Sequence, residues 1–398
     1  MVKVQMLVNF EFLGSEPIEN VITFMNFRIE KAIFFGYSEV IESQKAKTEN
    51  FLKKYCAVRQ IKFLPLSHTD LNSVIKVMRG EIKRELSDGN EIYFDITGGE
   101  SLILVAFGSL STEFRTPMHM FDIEKNQLIL LNKDKAGAIT DRAESVKVVL
   151  DIDRFIELHG GIINYHLHKN IKEDNKKISE IIDRLWSVVQ KHETIWNPFS
   201  DLCRACFKPD HSLRVNVPAS SVVSELHSGN TALKTHNQLI GVLEDLNNAG
   251  AITGFKCGNG TYSFQYTSEA VKDCLWEGGS VLELYIYHQY RRSSAHCKAG
   301  IHIDWDGVIH SAPGKDVLNE VDVLTLNGNV PTFISCKSGK MGPSQTLHAL
   351  YELQTVADRF GGKYARKVLV SARPLAGEIY MERAKEMKID VKIMDDNK

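Results

Sequence analysis

The chain has 398 residues, 43% of them apolar, which is the composition of an ordinary soluble protein with full cores and enough length for two or three domains. A net charge of −2 excludes a globally basic nucleic-acid binder, so any contact with nucleic acid has to come from local basic clusters. Residues 1–13 are too short and interrupted for a secretory signal, and no run of about 18 apolar residues occurs, so the chain is expected in the cytoplasm with no membrane association.

Residues 1 to 130 alternate strand-like runs (VQMLVNF, KAIFFGY, QIKFLPL, EIYFDIT, MHMFDI) with stretches of helical composition. Runs that are apolar on both faces and separated by helix-length segments predict a mostly parallel sheet covered on both sides, with ligands beyond the carboxyl ends of its strands. The stretch FDITGGES, residues 94–101, ends one such strand with Thr97, Gly98 and Gly99 before a helix that starts near Ser101. Glycines allow close backbone approach and a helix N-terminus favours a phosphate, so the turn suits a nucleotide. The first strand exits through NFEFLGSEP without G-x-G-x-x-G, so a dinucleotide redox cofactor is not expected.

The alternation fades between 130 and 160, and residues 171–191 read as an amphipathic helix. Farther on, HNQLIGVLEDLNNAG predicts a helix ending at Asn-Ala-Gly, followed by two strands around Gly258-Asn259-Gly260. This is a winged-helix-like connector. Its helix carries Glu244 and Asp245 and little positive charge, which favours a spacer or dimerisation role over DNA binding. The seven cysteines are odd in number and scattered, as reduced thiols are, and the lone pair Cys203 and Cys206 reads as ordinary helix cysteines.

From Gly278 the order is helix, strand, hairpin, helix, strand. The hairpin NEVDVLTLNGNVPTFISCKSGK, residues 319–340, turns at Asn327-Gly328. Alternation puts Glu320 and Asp322 on one face of its first strand, and Phe333, Ser335 and Lys337 on one face of its second. Glu283, in the preceding helix, is within reach of these acids. A carboxylate cluster at a strand end suits magnesium or manganese, and a neighbouring lysine can stabilise a phosphorane, so the chemistry indicated is phosphodiester hydrolysis. Arg291, Arg292, His296, Lys298 and Lys340 crowd around this region as phosphate contacts, with Tyr285, Tyr287 and Tyr290 interleaved as base-stacking or core residues.

Residues 278–373 resemble the PD-(D/E)xK restriction-endonuclease-like superfamily. That resemblance implies a Mn2+ or Mg2+ site formed by Glu283, Glu320, Asp322 and the Cys336 carbonyl, with Lys337 catalytic; Ser335 stands where the family usually has a carboxylate. The strand-DITGG-helix pattern resembles the CRISPR-associated Rossmann-fold (CARF) sensors. The two ends together resemble ligand-activated ancillary nucleases of type III CRISPR antiviral systems. The resemblance implies a homodimer that binds one cyclic oligoadenylate, cyclic tetraadenylate, through Asn9, Phe10, Glu11, Thr97, Gly98, Gly99 and Glu100, the last at a position often basic. The expected α/β fold class comprises a Rossmann-like CARF domain (1–150), a helical, winged-helix-like dimerisation region (151–275) and an α/β restriction-endonuclease-like domain (276–398). The expected function is cleavage of DNA, RNA or both on ligand binding. The alternative is a CARF-linked winged-helix transcriptional regulator with a degenerate nuclease domain.

Overall fold

The computed structural model describes residues 5–67, 70–133, 139–167, 176–228, 232–310 and 316–394. They divide into two compact units. The first comprises 1–162 with 327–330 and 359–365, and the second comprises 163–326, 331–358 and 366–398.

The first unit is a seven-stranded sheet of β1 (Leu7–Phe12), β2 (Lys31–Gly36), β3 (Gln60–Pro65), β4 (Glu91–Asp95), β5 (Met118–Asp122), β6 (Gln127–Lys133) and β7 (Ile139–Ser145), in the order β3-β2-β1-β4-β5-β6-β7. The pairs from β3 through β5 are parallel, and β6 and β7 close one end as antiparallel strands. The five strands legible as apolar runs are all present. The added pair lies where the alternation fades, because an antiparallel hairpin needs no crossover helix to announce it. Helices α1 (Ile22–Asn26), α2 (Ser38–Tyr55), α3 (Leu71–Ser87), α4 (Ser101–Phe114) and α5 (Ile152–Leu158) accompany the sheet. Phe10, Phe35, Phe94 and Phe107 are fully buried in one cluster, and each contributes roughly 1.5–3 kcal/mol by leaving water. The other face of β1 is different: Asn9 and Glu11 are buried there. Two buried polar side chains on a central strand need partners, and these lie in the site described below.

The second unit contains two sheets. A three-stranded antiparallel sheet, ordered β10-β11-β9, is formed by β9 (Arg214–Pro218), β10 (Ile252–Gly258) and β11 (Thr261–Tyr266), which alternate with α6 (Lys176–Lys191), α7 (Trp196–Cys206), α8 (Ala219–Ser228), α9 (His236–Ala249) and α10 (Glu269–Trp276). Helix α9 starts with a Thr235/Gln238 capping box and stops at Gly250, whose φ of 83° needs no Cβ penalty. The helix and hairpin of the winged-helix-like region therefore form as the sequence indicates.

The remaining elements are α11 (Ser280–Arg291), β12 (His296–Asp304), β13 (Leu318–Asn327), β14 (Val330–Lys337), α12 (Pro343–Gly361), β15 (Arg366–Ser371), α13 (Glu378–Glu386) and β16 (Ile389–Ile393). With β8 (Ile162–Ile163) they build a six-stranded sheet ordered β16-β15-β14-β13-β12-β8. β12 pairs with β13 antiparallel, whereas β14, β15 and β16 run parallel. Only Gly328 and Asn329 separate the two strands of the hairpin, and Pro331 lies inside β14. Gly328 takes φ 62°, as a two-residue turn requires. No helix among the described residues is long and apolar enough to cross a membrane.

Candidate functional site

The hairpin brings Asp322, Ser335 and Cys336 together. The Cys336 amide donates to Asp322 Oδ2 at 2.6 Å and the Ser335 hydroxyl donates to the same oxygen at 3.2 Å. Burial raises the Asp322 carboxyl above the usual aspartate range, opposed first by the Lys337 ammonium and then by the Cys336 amide. Burial likewise pushes the Cys336 thiol well up, with Asp322 and Glu283 adding to it, so its sulfur is held as a thiol while its main chain serves the site. Glu283 lies in the first turn of α11, its Oε1 packed against the backbone at Gly279, where an added Cβ would sit at 3.0 Å. Glu320 is 56% exposed and pairs across the strands with His302, Nε2 to Oε2 3.8 Å.

Lys337 ends β14 at the wall of an open cleft of about 510 Å³, lined also by Lys340, Met341, Gln345, His348 and Glu352. The other expected phosphate contacts are placed differently. Arg291 donates to the Tyr287 hydroxyl, Arg292 faces Asp183 at 3.6 Å, and Lys298 bonds the Tyr165 hydroxyl, while His296 begins β12. Of the five, Lys340 borders the Lys337 cleft. Tyr287 is buried, Tyr285 stacks on Trp186 with centroids 5.3 Å apart, and the Tyr290 hydroxyl accepts from Lys392, so core packing accounts for all three. Cys203 is buried in α7, its thiol pushed well up by burial.

The sensor-like residues converge at the carboxyl ends of β1 and β4. The Asn9 amide donates to Glu11 Oε2 at 2.7 Å, while Asn9 Oδ1 and Glu11 Oε1 are buried with no hydrogen-bond partner among the described residues. Burial raises the Glu11 carboxyl well above its usual range, and Asp95 raises it further. Asp95 in turn accepts from the Thr97 amide at 2.7 Å, from the Thr97 hydroxyl and from Thr23. Thr97 Oγ1 accepts from the Phe121 amide at 2.9 Å. This network holds the Thr97-Gly98-Gly99 turn at the start of α4, where Gly99 has φ 126° and the Glu100 side chain makes no capping bond. Instead Glu100 accepts from the Tyr37 hydroxyl at 3.0 Å; burial, with Glu100 next, pushes the Tyr37 phenol up to about 12. Phe10 turns its ring into the core, 5.9 Å from both Phe35 and Phe94, and its main chain lies inside β1, paired with β2 on one side and β4 on the other.

Several residues of these sites carry no sequence signal. Glu19 Oε2 lies 2.9 Å from where a Cβ on Gly98 would be, and its Oε1 meets Lys363 Nζ at 2.5 Å and the Tyr364 hydroxyl at 2.6 Å. His119, Thr23 and His302 join through strand register or loop packing, which a linear pattern does not encode.

Among the described residues no three or more His, Cys, Asp or Glu side chains are grouped to hold a metal ion. Serine at position 335 is one reason, since it supplies a neutral oxygen where an anion would complete such a group. What remains is the Asp322 carboxyl, with Glu320 acting on it and Glu283 on the adjoining Cys336. A half-buried carboxyl with acidic neighbours is an oxygen donor of the kind that suits a hard divalent cation.

A mixed sheet thus carries a half-buried aspartate and a lysine on adjoining strands, beside a helix that bears Glu283. Residues 272–398 match the family model described as "Card1-like, endonuclease domain". The whole chain is similar in fold to protein VC1899 from Vibrio cholerae, at 16% identity and a TM-score of 0.70, covering 98% of this chain and 94% of that one. It is similar also to Can2 from Sulfobacillus thermosulfidooxidans, solved in complex with cyclic tetra-adenylate, at 15% identity and a TM-score of 0.62 with the same coverage. No curated protein sequence matches the chain.

Proposed function

We propose that the protein is a cyclic oligoadenylate-activated, divalent-metal-dependent endonuclease of type III CRISPR defence. It acts in the cytoplasm as a homodimer, takes cyclic tetraadenylate as its activator and cleaves DNA, RNA or both. Residues 1–150 serve as the sensor, 151–275 as the connecting and dimerisation region, and 276–398 as the nuclease. The observation that carries this reading is the Asp322–Cys336 contact beside Lys337 and its cleft, inside a segment that matches an endonuclease family. The fold shared along the whole chain with a protein solved with cyclic tetra-adenylate supports the sensor half.

In hydrolysis, water oxygen bonds to phosphorus as the P–O ester bond breaks and the displaced oxygen leaves with a proton. A Mn2+ or Mg2+ ion held by Asp322, Glu283, Glu320 and the Cys336 carbonyl would supply Lewis-acid stabilisation of the phosphoryl oxygens. The chain's own parts are definable. Ser335 and the Cys336 amide hold Asp322 through one oxygen, which fixes the carboxylate's orientation. The Lys337 ammonium stabilises charge that builds on the phosphorane, and Lys340 holds the neighbouring phosphate in the cleft. The activator works by binding the active arrangement of the dimer more tightly than the idle one.

The test is incubation with supercoiled plasmid and with single-stranded RNA, in manganese, with and without cyclic tetraadenylate. Cleavage that requires both the metal and the ligand is expected. Sequence-specific binding of duplex without any cleavage would instead make the chain a regulator.

A further inference from the structure

We propose that Lys363, in the 3-10 turn Gly362–Tyr364 between α12 and β15, is a ligand-binding residue of the sensor and exchanges its Glu19 partner for a phosphate of the bound cyclic oligonucleotide. The assignment rests on the sensor reading above, and it comes from a charge problem at that site. The Thr97-Gly98-Gly99 turn offers backbone amides, but the side chains gathered at it are Glu11, Glu19, Asp95 and Glu100. Burial holds Glu11 toward its neutral form, so a polyanion placed there meets the charge of Glu19, Asp95 and Glu100 and needs a compensating cation.

The structure brings Lys363 to this place by one carboxylate. Glu19 is wedged with Oε2 against Gly98 and Oε1 on Lys363 Nζ, so a single side chain spans the gap between the turn and the ammonium. The lysine's position is built. Its amide donates to Glu16 Oε2 at 2.8 Å, and the preceding Gly362, at φ 62°, would place a Cβ 2.7 Å from Glu16 Oε1 and closer still to Oε2. Glycine is therefore required there for the main chain to lie against Glu16. Tyr364, beside it, also donates to Glu19. Glu19 is 6% exposed, whereas the Lys363 side chain is 57% exposed on an anchored backbone, its Nζ 5.0 Å from the Tyr364 ring centroid. Glu19 thus holds the cation when no ligand is present and repels a phosphate that approaches Gly98. A phosphate that wins Lys363 also leaves Glu19 to Tyr364, so ligand binding rearranges this joint.

The two residues have opposite signs in a titration. Cyclic tetraadenylate is titrated by calorimetry into the full-length wild-type chain and into K363A, K363R and E19Q, each first checked for an unchanged melting profile. Loss of a charge-assisted contact in K363A should weaken binding about tenfold. K363R, which keeps the charge, should bind within about threefold of wild type. E19Q removes both the competitor and the repulsion, so it should bind several-fold more tightly, with a shallower salt dependence than wild type. A purely structural salt bridge predicts weaker binding in both K363A and E19Q. K363A binding like wild type, or E19Q binding more weakly, overturns the assignment of Lys363. Wild-type chain that binds no cyclic tetraadenylate overturns the sensor reading, and this assignment with it.

Discussion

Replacing Asp322 with asparagine separates what the carboxylate does for the fold from what it does for chemistry. Its Oδ2 accepts from the Cys336 amide at 2.6 Å and from the Ser335 hydroxyl at 3.2 Å, and an asparagine oxygen in the same place keeps at least the shorter bond. Passing from a charged to a neutral acceptor costs about 1 kcal/mol per bond. Against this, burial disfavours the ionised aspartate, a penalty the amide does not carry. The sign with pH follows from that raised pKa. The native carboxyl keeps its proton over a range where the unfolded one has lost it, so wild-type stability falls as pH rises through that range. D322N lacks this slope. Urea denaturation should place D322N within about 1 kcal/mol of wild type at neutral pH and relatively more stable at pH 8 than at pH 4. Ligand-dependent cleavage should nevertheless fall by about a thousandfold, since losing an anion at the reacting centre removes about 4 kcal/mol of transition-state stabilisation. D322N that keeps more than a tenth of wild-type cleavage would refute the site, and a variant destabilised by more than about 2 kcal/mol would make the carboxylate structural instead.

S335A removes a hydroxyl donor at 3.2 Å, worth about 1 kcal/mol, so cleavage should drop less than tenfold; a loss as large as that of D322N would make the serine a principal ligand. With a neutral oxygen at that place, activity should be greater in manganese than in equimolar magnesium, and S335D should narrow the ratio. E11Q tests the buried acid beside the Gly98 turn: burial raises the native Glu11 carboxyl above its unfolded value, so wild-type stability falls as pH rises between the two, and the advantage of E11Q should grow from pH 4 to pH 8. A pH-independent difference would show that Glu11 is ionised in the fold. G362A and G89A both force alanine to positive φ, at a cost of about 1 kcal/mol each, but a Cβ at Gly89 meets nothing within 4 Å whereas one at Gly362 drives into Glu16. G362A should therefore be about 1–3 kcal/mol worse than G89A in urea denaturation, and equal costs would remove Glu16 from the argument.

What was legible in the sequence is what a strand or helix encodes by itself. The start of α4 at Ser101, the stop of α9 before Gly250 and the common face of Glu320 and Asp322 follow from glycines, caps and alternation. Periodicity says which face a residue takes but not what that face meets. Arg291, Arg292 and Lys298 cluster in sequence as a phosphate-binding patch, yet their partners are Tyr287, Asp183 and Tyr165. Two of those partners lie on segments more than a hundred residues away, and a long cation takes whichever acid or hydroxyl the tertiary fold supplies. Lys363 is the converse case, a residue with no motif around it that one buried glutamate draws to the Gly98 turn.

Position 335 joins both lessons. In sequence, serine there subtracts a charge from a metal site. In the structure its hydroxyl is a donor to Asp322, on the same oxygen that takes the Cys336 amide, and a carboxylate at 335 could not donate that bond unless protonated. Restoring the family acid would therefore set two carboxylates against each other without a donor between them, and would raise Asp322 further in the absence of a cation. Serine keeps Asp322 oriented while the site is idle. On the proposed nuclease reading, a site ordered before the metal arrives would suit an enzyme that waits for its ligand, and the weaker charge would be the cost of that order.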